Sequence, residues 1–386
     1  LTNSISKYFT FIILGITLVA GIYWLRIDQE KMWQVVSAIL IVACPCALAL
    51  SAPFTFGHIM RIMGRNKFYV KDTLTIEKLS KIDTLVFDKT GTITHNKKAN
   101  IYFEGKEIPA FDLENIKTLL KNSNHPLSRS LYEYLDESDG NYPLQNFVET
   151  PGKGYQAEVR GQVYKIGSAS FTGRQSQNLE TAVYIAKNDQ FLGKFIFKNE
   201  YRENLRDLFI KLKNYSTHIL SGDNASEENT LRDIIPNVAG MAFNQSPEDK
   251  LDYVKKLQEQ NRKTAMVGDG LNDAGALKQS NVGVAIAEDT NSFTPSSDVI
   301  MHGSVLTQMD KYLNLSKDAM KIVKMTFGIS FIYNILGLAL AITGHLSPLK
   351  AAILMPLSSI TVVVFTTVMT WLSGRKYFNE DKARKS

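Results

Sequence analysis

Four long apolar stretches lie at the two ends of the chain and leave a more polar middle between them. They cover residues 9–25, 35–52, 325–343 and 351–372. Each is about long enough to cross a hydrocarbon core of roughly 30 Å as a helix. The alternative is four buried core helices of a soluble protein. The position of all four stretches at the ends, and the absence of any charge from 9–25, favour membrane spans.

Lysine and arginine are concentrated on one side of the predicted spans. The loops 26–32 and 344–350 carry little excess positive charge, whereas the other flanks carry Arg61, Arg65, Lys67, Lys71, Lys311, Lys317, Lys321, Lys324, Arg375, Lys376, Lys382, Arg384 and Lys385. The positive-inside bias therefore predicts a multi-pass protein surrounded by membrane lipid, with both termini and the middle in the cytoplasm. This topology accounts for the net charge of +6, and no motif predicts nucleic acid as a partner.

The middle of the chain alternates short apolar runs with helical patterns. The runs 84–87, 217–220, 264–267 and 282–286 each end in a polar or glycine-rich turn. Helical patterns such as 203–212 and 247–258 separate some of them, and Ser246 is a good N-cap for the second. This alternation predicts a doubly wound parallel sheet.

A segment with a different pattern interrupts the predicted sheet between residues 98 and 190. It shows a hairpin signal at Glu104-Gly105, helices near 112–122 and 127–135, and strands near Val159 and Tyr164. We expect a separate α+β domain inserted into the α/β domain. The predicted organisation is a transmembrane pair, the first part of the α/β domain, the insert, the second part, and a C-terminal transmembrane pair with a basic tail, at 1–70, 71–97, 98–190, 191–310 and 311–386.

The sequence Asp88-Lys-Thr-Gly-Thr92 follows the first apolar run directly. It places a carboxylate at the carboxyl end of a strand, where open α/β sheets bind their ligands. Backbone N–H groups of the turn that follows can hold phosphate oxygens. Asp88 can then attack a phosphoryl group and carry it as an acyl phosphate. The alternative is an aspartate that only caps a turn.

Further polar residues follow the other strands in an order that suits the same chemistry. After the second run, Ser221 and Gly222 offer a hydroxyl and an N–H to phosphoryl oxygens. Lys250 can neutralise developing negative charge. Asp269 and Asp273, four residues apart in a glycine-containing turn, suit an oxygen-binding cation such as Mg²⁺. Phosphoryl transfer needs positioning and charge neutralisation more than covalent help, so this set is sufficient.

These motifs, in this order, resemble the P-type ATPases, ion pumps that form a phospho-aspartate, and their haloacid dehalogenase-like phosphotransferase core. The resemblance implies that Asp88 is the phosphorylated residue and that ATP and Mg²⁺ are cofactors. It further implies that Asp88, Thr90, Asp269 and Asp273 form the Mg²⁺ site. The fold class it implies is membrane helices with a cytoplasmic haloacid dehalogenase-like sheet and an inserted α+β nucleotide-binding domain.

One position departs from the P-type pattern. The family usually carries Asp-x-x-Arg after the inserted domain, and this chain reads Asn199-Glu-Tyr-Arg202. Only Arg202 therefore matches. The acid of the pattern is missing at residue 199.

The inserted segment carries a second set of matching residues. His125-Pro126 resembles the His-Pro signature of heavy-metal pumps, in which the histidine contacts the adenine of ATP. The alternative is a histidine that caps a helix beginning at proline. Gly152 and Gly154 resemble the Gly-x-Gly nucleotide loop of the family, and Gly167 its later glycine. The glutamate that the family often has three residues before Ser123 is a leucine here.

Cys44-Pro45-Cys46 lies in the middle of the second apolar stretch. Proline breaks a helix and frees backbone groups, which is tolerated only inside protein or beside a cavity. Two thiols at such a break suit soft metals such as Cu(I), with Zn²⁺ or Cd²⁺ as further possibilities. The alternative is two small buried side chains at a kink. The triplet resembles the signature of heavy-metal P-type ATPases, and Cys44 and Cys46 are the ligands it implies.

The last two apolar stretches resemble the copper(I) branch of these pumps. Tyr333-Asn334 matches its Tyr-Asn pair, and Met355 with Ser359 matches its Met-x-x-Ser-Ser. The zinc and cadmium branch would instead show a lysine and an Asp-Gly. One mismatch is Thr326, where the copper pattern has asparagine. The resemblance implies that Tyr333, Asn334, Met355 and Ser359 join the cysteines around the transported metal.

P-type pumps use an actuator domain with a Thr-Gly-Glu loop to hydrolyse the acyl phosphate. Thr-Gly occurs three times in this chain, and none of the three continues with Glu. We therefore expect an N-terminal actuator and metal-binding region to act with this chain, in cis or in trans. A copper chaperone is the expected metal donor, and the bacterial inner membrane the expected location.

The leading functional hypothesis is ATP-driven export of Cu(I) through an aspartyl phosphate. Alternatives are a zinc or cadmium P-type ATPase and a membrane-anchored haloacid dehalogenase-type phosphatase. A phosphatase would need neither the intramembrane cysteines nor the inserted domain. A non-enzymatic metal-binding subunit is disfavoured by the intact Asp88, Lys250, Asp269 and Asp273.

Overall fold

The computed structural model describes residues 2–43, 46–123, 125–135, 141–175, 180–270, 272–288 and 297–378. The helices have these bounds: α1 Thr2–Leu25, α2 Gln29–Val42, α3 Cys46–Arg65, α4 Thr73–Ser80, α5 Ala110–Lys121, α6 Pro126–Tyr134, α7 Leu205–Lys211, α8 Glu228–Ile234, α9 Pro247–Glu259, α10 Ala274–Gln279, α11 Met309–Ile342 and α12 Pro348–Phe378. The strands have these bounds: β1 Phe68–Val70, β2 Thr84–Asp88, β3 Thr94–Gly105, β4 Gln145–Thr150, β5 Gly154–Val159, β6 Gln162–Gly167, β7 Ala182–Lys187, β8 Gln190–Tyr201, β9 Ser216–Leu220, β10 Val238–Ala242, β11 Thr264–Gly268, β12 Val282–Ala287 and β13 Val299–His302.

Within the described ranges, two helical segments are long and apolar enough to cross a membrane. They are Gly303–Ile342 and Pro348–Phe378, and Phe11–Leu25 is a shorter apolar helix. Large apolar side chains on these helices point outward, including Phe11, Phe331 and Leu349. An outward apolar surface of this kind is expected where lipid replaces water as the solvent.

The second predicted span consists of two helices. α2 ends at Val42, and α3 begins at Cys46. The sequence predicts a helix break at Pro45, but Cys44 and Pro45 lie outside the described residues, and only the backbone of Cys46 is described. On α2, Val35, Ala38 and Ile39 are buried in one apolar cluster with residues of α11 and α12.

A seven-stranded sheet has the order β1-β13-β12-β11-β2-β9-β10. It contains all four strands expected from the sequence, namely β2, β9, β11 and β12. Three strands were not predicted: β1, β10 and β13. β1 runs antiparallel to β13 at one edge, while β12 with β13 and β9 with β10 are parallel. Helices follow several of the parallel strands, as a doubly wound arrangement requires.

A six-stranded antiparallel sheet has the order β3-β8-β7-β6-β5-β4 and packs with α5 and α6. The hairpin expected at Glu104-Gly105 is wrong. Gly105 ends a long strand, and its cross-strand neighbour is Gly193 on β8. A Cβ on Gly105 would approach the Leu192 carbonyl oxygen to 2.5 Å. Glycine at this position therefore permits the close approach of β3 and β8. The hairpin was predicted because glycine is also common in turns, and here it serves strand pairing instead.

The chain divides into two compact units. One comprises Leu1–Thr84, Val254–Met266 and Ala274–Ser386, and the other comprises Leu85–Tyr253 and Val267–Asp273. All residues predicted for phosphoryl transfer and nucleotide binding belong to the second unit. The residues predicted for the transported metal belong to the first. The narrower boundaries 1–70, 71–97, 98–190, 191–310 and 311–386 stay a proposal.

Candidate active site

Asp88 is the last residue of β2, a strand whose five residues are all buried. The preceding Phe87 packs edge-to-face on Phe209 with ring centroids 5.3 Å apart. Asp88 is itself only 4% exposed. The chain then turns through Lys89–Ile93, where Gly91 has a φ of 71°. β2 therefore holds the carboxylate rigidly at the carboxyl end of the strand.

Lys250 joins Asp88 to Asp273. Its Nζ donates to Asp88 Oδ1 at 2.6 Å and to Asp273 Oδ1 at 2.8 Å, and all three side chains are buried. Lys250 lies in the first turn of α9, where Ser246 caps the helix as predicted. Asp249 N donates to Ser246 Oγ, and Ser246 N donates back to Asp249 Oδ2. This reciprocal cap fixes the helix start that carries Lys250.

The charges of this triad do not balance, since one ammonium faces two carboxylates. Burial and then the Asp273 charge raise the pKa of Asp88 to about 7, against the opposing effect of Lys250. Burial likewise raises the pKa of Asp273. Burial disfavours the charged form of Lys250, but the two carboxylates outweigh it and raise the pKa of Lys250. The excess negative charge of the two carboxylates therefore favours the binding of a cation at this site.

The donor atoms present fit a magnesium ion. Asp273 Oδ2 is buried and has no hydrogen-bond partner within the described residues. The charge of Asp269 raises the pKa values of both Asp88 and Asp273, and Asn272 N donates to Asp269 Oδ1 at 3.4 Å. In the described part of the chain, no three His, Cys, Asp or Glu side chains form an assembled metal cluster. A buried oxygen without a partner beside excess negative charge suits a hard cation.

Thr90, Ser221 and Gly222 lie in the turns after β2 and β9, which are neighbours in the sheet. Thr90 Oγ1 donates to Asp223 Oδ2 at 3.4 Å. Ser221 is fully buried, and its Oγ accepts from Asp223 N at 3.0 Å. The carboxyl ends of adjacent parallel strands meet at one edge of a sheet, so these turns belong to the edge that carries Asp88.

A second charge cluster adjoins the turn and was not predicted. Lys89 Nζ lies 2.6 Å from Asp223 Oδ2 and 3.0 Å from Glu227 Oε2. Arg202, the matching residue of the altered Asp-x-x-Arg, donates to the carbonyl oxygens of Thr92 at 2.6 Å and Gly91 at 3.3 Å. Arg202 thereby fixes the turn after Asp88. Nothing in the sequence around Glu227 signalled its contact with Lys89.

A cavity of about 220 Å³ lies at the inserted sheet. Its lining includes His125, Gly152, Gly154 and Gly167, together with Ser128, Lys153 and Tyr155. A Cβ on Gly154 would lie 2.4 Å from the Ile166 carbonyl oxygen, so glycine is required for the close pairing of β5 with β6. The sequence prediction thus selected residues that line one cavity.

His125 caps a helix and also lines the cavity. Its Nδ1 accepts from Leu127 N at 3.3 Å and caps α6, and the ring also lines the cavity. α6 begins at Pro126, whose side chain lies outside the described residues. The capping contact fixes the direction of the imidazole ring, which leaves its other edge for a ligand.

A further cavity of about 230 Å³ lies among α2, α11 and α12. Tyr333, Asn334 and Met355 line it, as does Val42 at the end of α2. Of the two serines after Met355, Ser358 lines the cavity and Ser359 does not. Both serine hydroxyls donate to the Met355 carbonyl oxygen, at 2.8 Å and 3.5 Å respectively.

A comparison of the sequence with known families identifies a family that covers the phosphoryl-transfer residues described above. The haloacid dehalogenase-like hydrolase family matches residues 82–281, slightly more than half of the chain. The chain belongs to the haloacid dehalogenase-like hydrolases. The matched range includes Asp88, Ser221, Lys250, Asp269 and Asp273.

Curated relatives extend the likeness beyond this range. The chain is 30% identical to a copper-exporting P-type ATPase of Staphylococcus saprophyticus, over 94% of this chain and 48% of that protein. It is 29% identical to a probable copper-importing P-type ATPase A of Enterococcus hirae, over 94% of this chain and 52% of that protein. The chain therefore spans about half the length of the curated relatives it matches.

A solved structure shows the same fold. The crystal structure of a zinc-transporting PIB-type ATPase in an E2.Pi state matches with a TM-score of 0.78 and 21% identity, over 95% of this chain and 63% of that one. The expected resemblance to P-type ATPases is confirmed, and so is the fold class of membrane helices with a haloacid dehalogenase-like α/β part. The chain is a membrane protein.

Proposed function

We propose that this chain carries the catalytic and metal-binding parts of an ATP-driven pump that exports Cu(I) through a phosphate bound to Asp88. The observation that carries the proposal is the buried Asp88–Lys250–Asp273 triad at the carboxyl end of β2 and β11. Such a triad joins a nucleophile to a fixed positive charge. The relatives named above support the pump reading over a phosphatase.

The chemistry follows from the positions of the side chains. An oxygen of ionised Asp88 forms a bond to the γ-phosphorus of ATP, and the bond from that phosphorus to the bridging oxygen breaks, which releases ADP. Lys250 stabilises negative charge on the transferred group. The Ser221 hydroxyl and Gly222 N–H bind its oxygens. Asp88, Thr90, Asp269 and Asp273 would hold a magnesium ion, which would supply the remaining positive charge.

The cavity at the inserted sheet is the proposed site for the nucleoside of ATP. His125 presents its ring to the base from the start of α6, and Gly152, Gly154 and Gly167 let the ligand approach the backbone. Pro126 fixes the first turn of that helix. The small cavity is lined by few charged groups, which suits an aromatic base.

The proposed cargo site is formed by Cys44 and Cys46 with the residues around the second cavity. Met355 supplies a thioether, and soft sulfur ligands favour Cu(I) over Zn²⁺. Tyr333, Asn334 and Ser359 complete or orient the set of ligands around the metal. Ser358 belongs with them because it lines the cavity. The copper-exporting relatives support export, while the Enterococcus hirae relative is named as a probable importer.

We further propose the setting in which the chain works. It crosses a bacterial inner membrane several times, with its α/β part and both termini in the cytoplasm. A copper chaperone delivers the metal, and an actuator with a Thr-Gly-Glu loop, in cis or in trans, hydrolyses the acyl phosphate. Lipid contacts the outward apolar side chains of α1, α11 and α12.

Phosphorylation of the detergent-purified protein tests the proposal. The protein is mixed with Mg²⁺ and ATP labelled at the γ-phosphate, quenched in acid and treated with hydroxylamine. We expect label that hydroxylamine removes and that is absent from Asp88→Asn. Asp207→Asn, the same change at an exposed position of α7, is the matched control and keeps the label. Label that persists in Asp88→Asn would exclude Asp88 as the acceptor.

A further inference from the structure

Lys89 is a buried cation next to the proposed nucleophile. Its side chain is 2% exposed, and its ammonium contacts the carboxylates of Asp223 and Glu227. A buried ammonium is tolerated only when its charge is paired and its donors are used. These two carboxylates therefore determine where the Lys89 side chain lies, and they hold the peptide that follows Asp88.

Glu227 is the centre of this cluster. Its Oε2 atom accepts from Lys89 Nζ at 3.0 Å, from Asn199 Nδ2 at 2.9 Å and from Tyr201 OH at 3.1 Å. Asn199 and Tyr201 are two residues apart on β8 and so project from the same face of the strand. Three donors on one carboxylate oxygen select the ionised form of the acid.

The electrostatics of Glu227 agree with that contact set. Burial opposes its ionisation, but the hydrogen bond from Asn199 and the charge and hydrogen bond of Lys89 outweigh burial. They hold the pKa of Glu227 below its usual range. Glu227 is 19% exposed, which makes it more enclosed than Asp223 at 48%. Glu227 is thus the better shielded of the two partners of Lys89.

The cluster also accounts for the departure at residue 199. The P-type pattern Asp-x-x-Arg has its acid where this chain has Asn199, and the amide of Asn199 donates to Glu227. We propose that Glu227 is a positioning residue for phosphorylation of Asp88, and that it supplies from the turn after β9 the carboxylate that the pattern has on β8. This inference rests on the proposed function.

An exchange of two side chains tests the inference. Glu227→Gln removes the charge that holds Lys89. Asn199→Asp places a second carboxylate beside Glu227, where like charges repel. The double variant Asn199→Asp/Glu227→Gln exchanges the amide and the carboxylate across the same contact and restores one negative charge. The single variants should therefore be impaired and the double variant should recover.

The measurement is the single-turnover rate of phosphorylation of the detergent-purified protein over a range of ATP concentrations. The loss of a charge-assisted hydrogen bond corresponds to about a tenfold to hundredfold lower maximal rate in each single variant. We expect an unchanged half-saturating ATP concentration, because the cavity lined by His125 is untouched, and recovery of the double variant to within about threefold. Glu228→Gln is the matched control and keeps the wild-type rate, since Glu228 pairs with Arg232 on the exposed face of α8.

The outcomes separate this inference from the proposed function. Wild-type protein that takes no label refutes the proposed function and the positioning role with it. Labelled wild type with an undiminished Glu227→Gln rate refutes the positioning role alone, and so does a double variant no faster than the slower single variant. Should Glu227→Gln fail to fold, Tyr201→Phe removes one donor from the same oxygen. An unchanged rate in Tyr201→Phe would then overturn the inference.

Discussion

Replacement of Asp88 by asparagine should stabilise the magnesium-free protein, and the gain should grow with pH. Asp88 is buried, shares Lys250 with Asp273, and has its pKa raised from 3.8 to about 7. Between these two values the unfolded chain has released the proton that the folded protein retains. Ionisation therefore favours the unfolded chain, and stability is lost as pH rises through this window.

The size of the effect follows from the shift. About three pKa units at about 1.4 kcal/mol each set a ceiling of about 4 kcal/mol above pH 7. Asparagine does not titrate and keeps the shape and an oxygen acceptor for Lys250, so Asp88→Asn escapes this loss. For the compact unit that contains Asp88, this maximal loss of unfolding free energy corresponds to a difference of roughly 10 °C in melting temperature.

The assay is thermal unfolding of the detergent-purified protein, with chelator, at several values from about pH 5 to about pH 8. We expect the melting temperature of Asp88→Asn to exceed that of wild type by an amount that increases over this range. Added Mg²⁺ should remove most of the difference, because it neutralises the ionised site of wild type. The exposed Asp207→Asn should follow wild type. Parallel pH profiles for Asp88→Asn and wild type would refute the argument.

Three further predictions concern other parts of the chain. Phe87→Ala should lower the free energy of unfolding by about 3–5 kcal/mol in chemical denaturation, because Phe87 is fully buried against Phe209, and a loss below about 1 kcal/mol would contradict that packing. His125→Asn, which keeps an N-cap, should raise the half-saturating ATP concentration with little change in maximal phosphorylation rate, and an unchanged ATP dependence would remove His125 from the nucleotide site. A Cys44→Ser/Cys46→Ser variant should lose Cu(I) in chelator competition, and equal affinity in parent and variant would exclude the thiols as ligands.

The strand-end position of Asp88 was predictable because two local signals coincide there. An apolar run sets the strand, and the polar turn sets its end. Lys250 lies 162 residues further along the chain; the sequence analysis assigned it to charge neutralisation in the same site, and the structure shows its contact with Asp88. Parallel strands bring their carboxyl ends to one edge whatever the length of the connections, so the turns after β9 and β11 were expected near Asp88. The sequence did not predict β10, the strand that precedes Lys250 on α9.

Other features depended on packing that no local pattern records. β1 and β13 have only three and four residues, too few for a period to be recognised. Gly105 was read as a turn because glycine is common there, whereas the structure uses it opposite Gly193. Glu227 meets Lys89 and Asn199 only because the end of β8 reaches the turn after β9, and nothing in the sequence around Glu227 specifies that contact.

Chemical mapping of the phosphorylated residue tests the central claim most directly. Protein labelled by ATP and Mg²⁺ is quenched in acid and reduced with borohydride, which converts an acyl phosphate of aspartate to homoserine. Peptide mass spectrometry then locates the converted residue. We predict homoserine at position 88 and at no other aspartate. An unconverted Asp88 in labelled protein, or homoserine at another aspartate, would contradict the account.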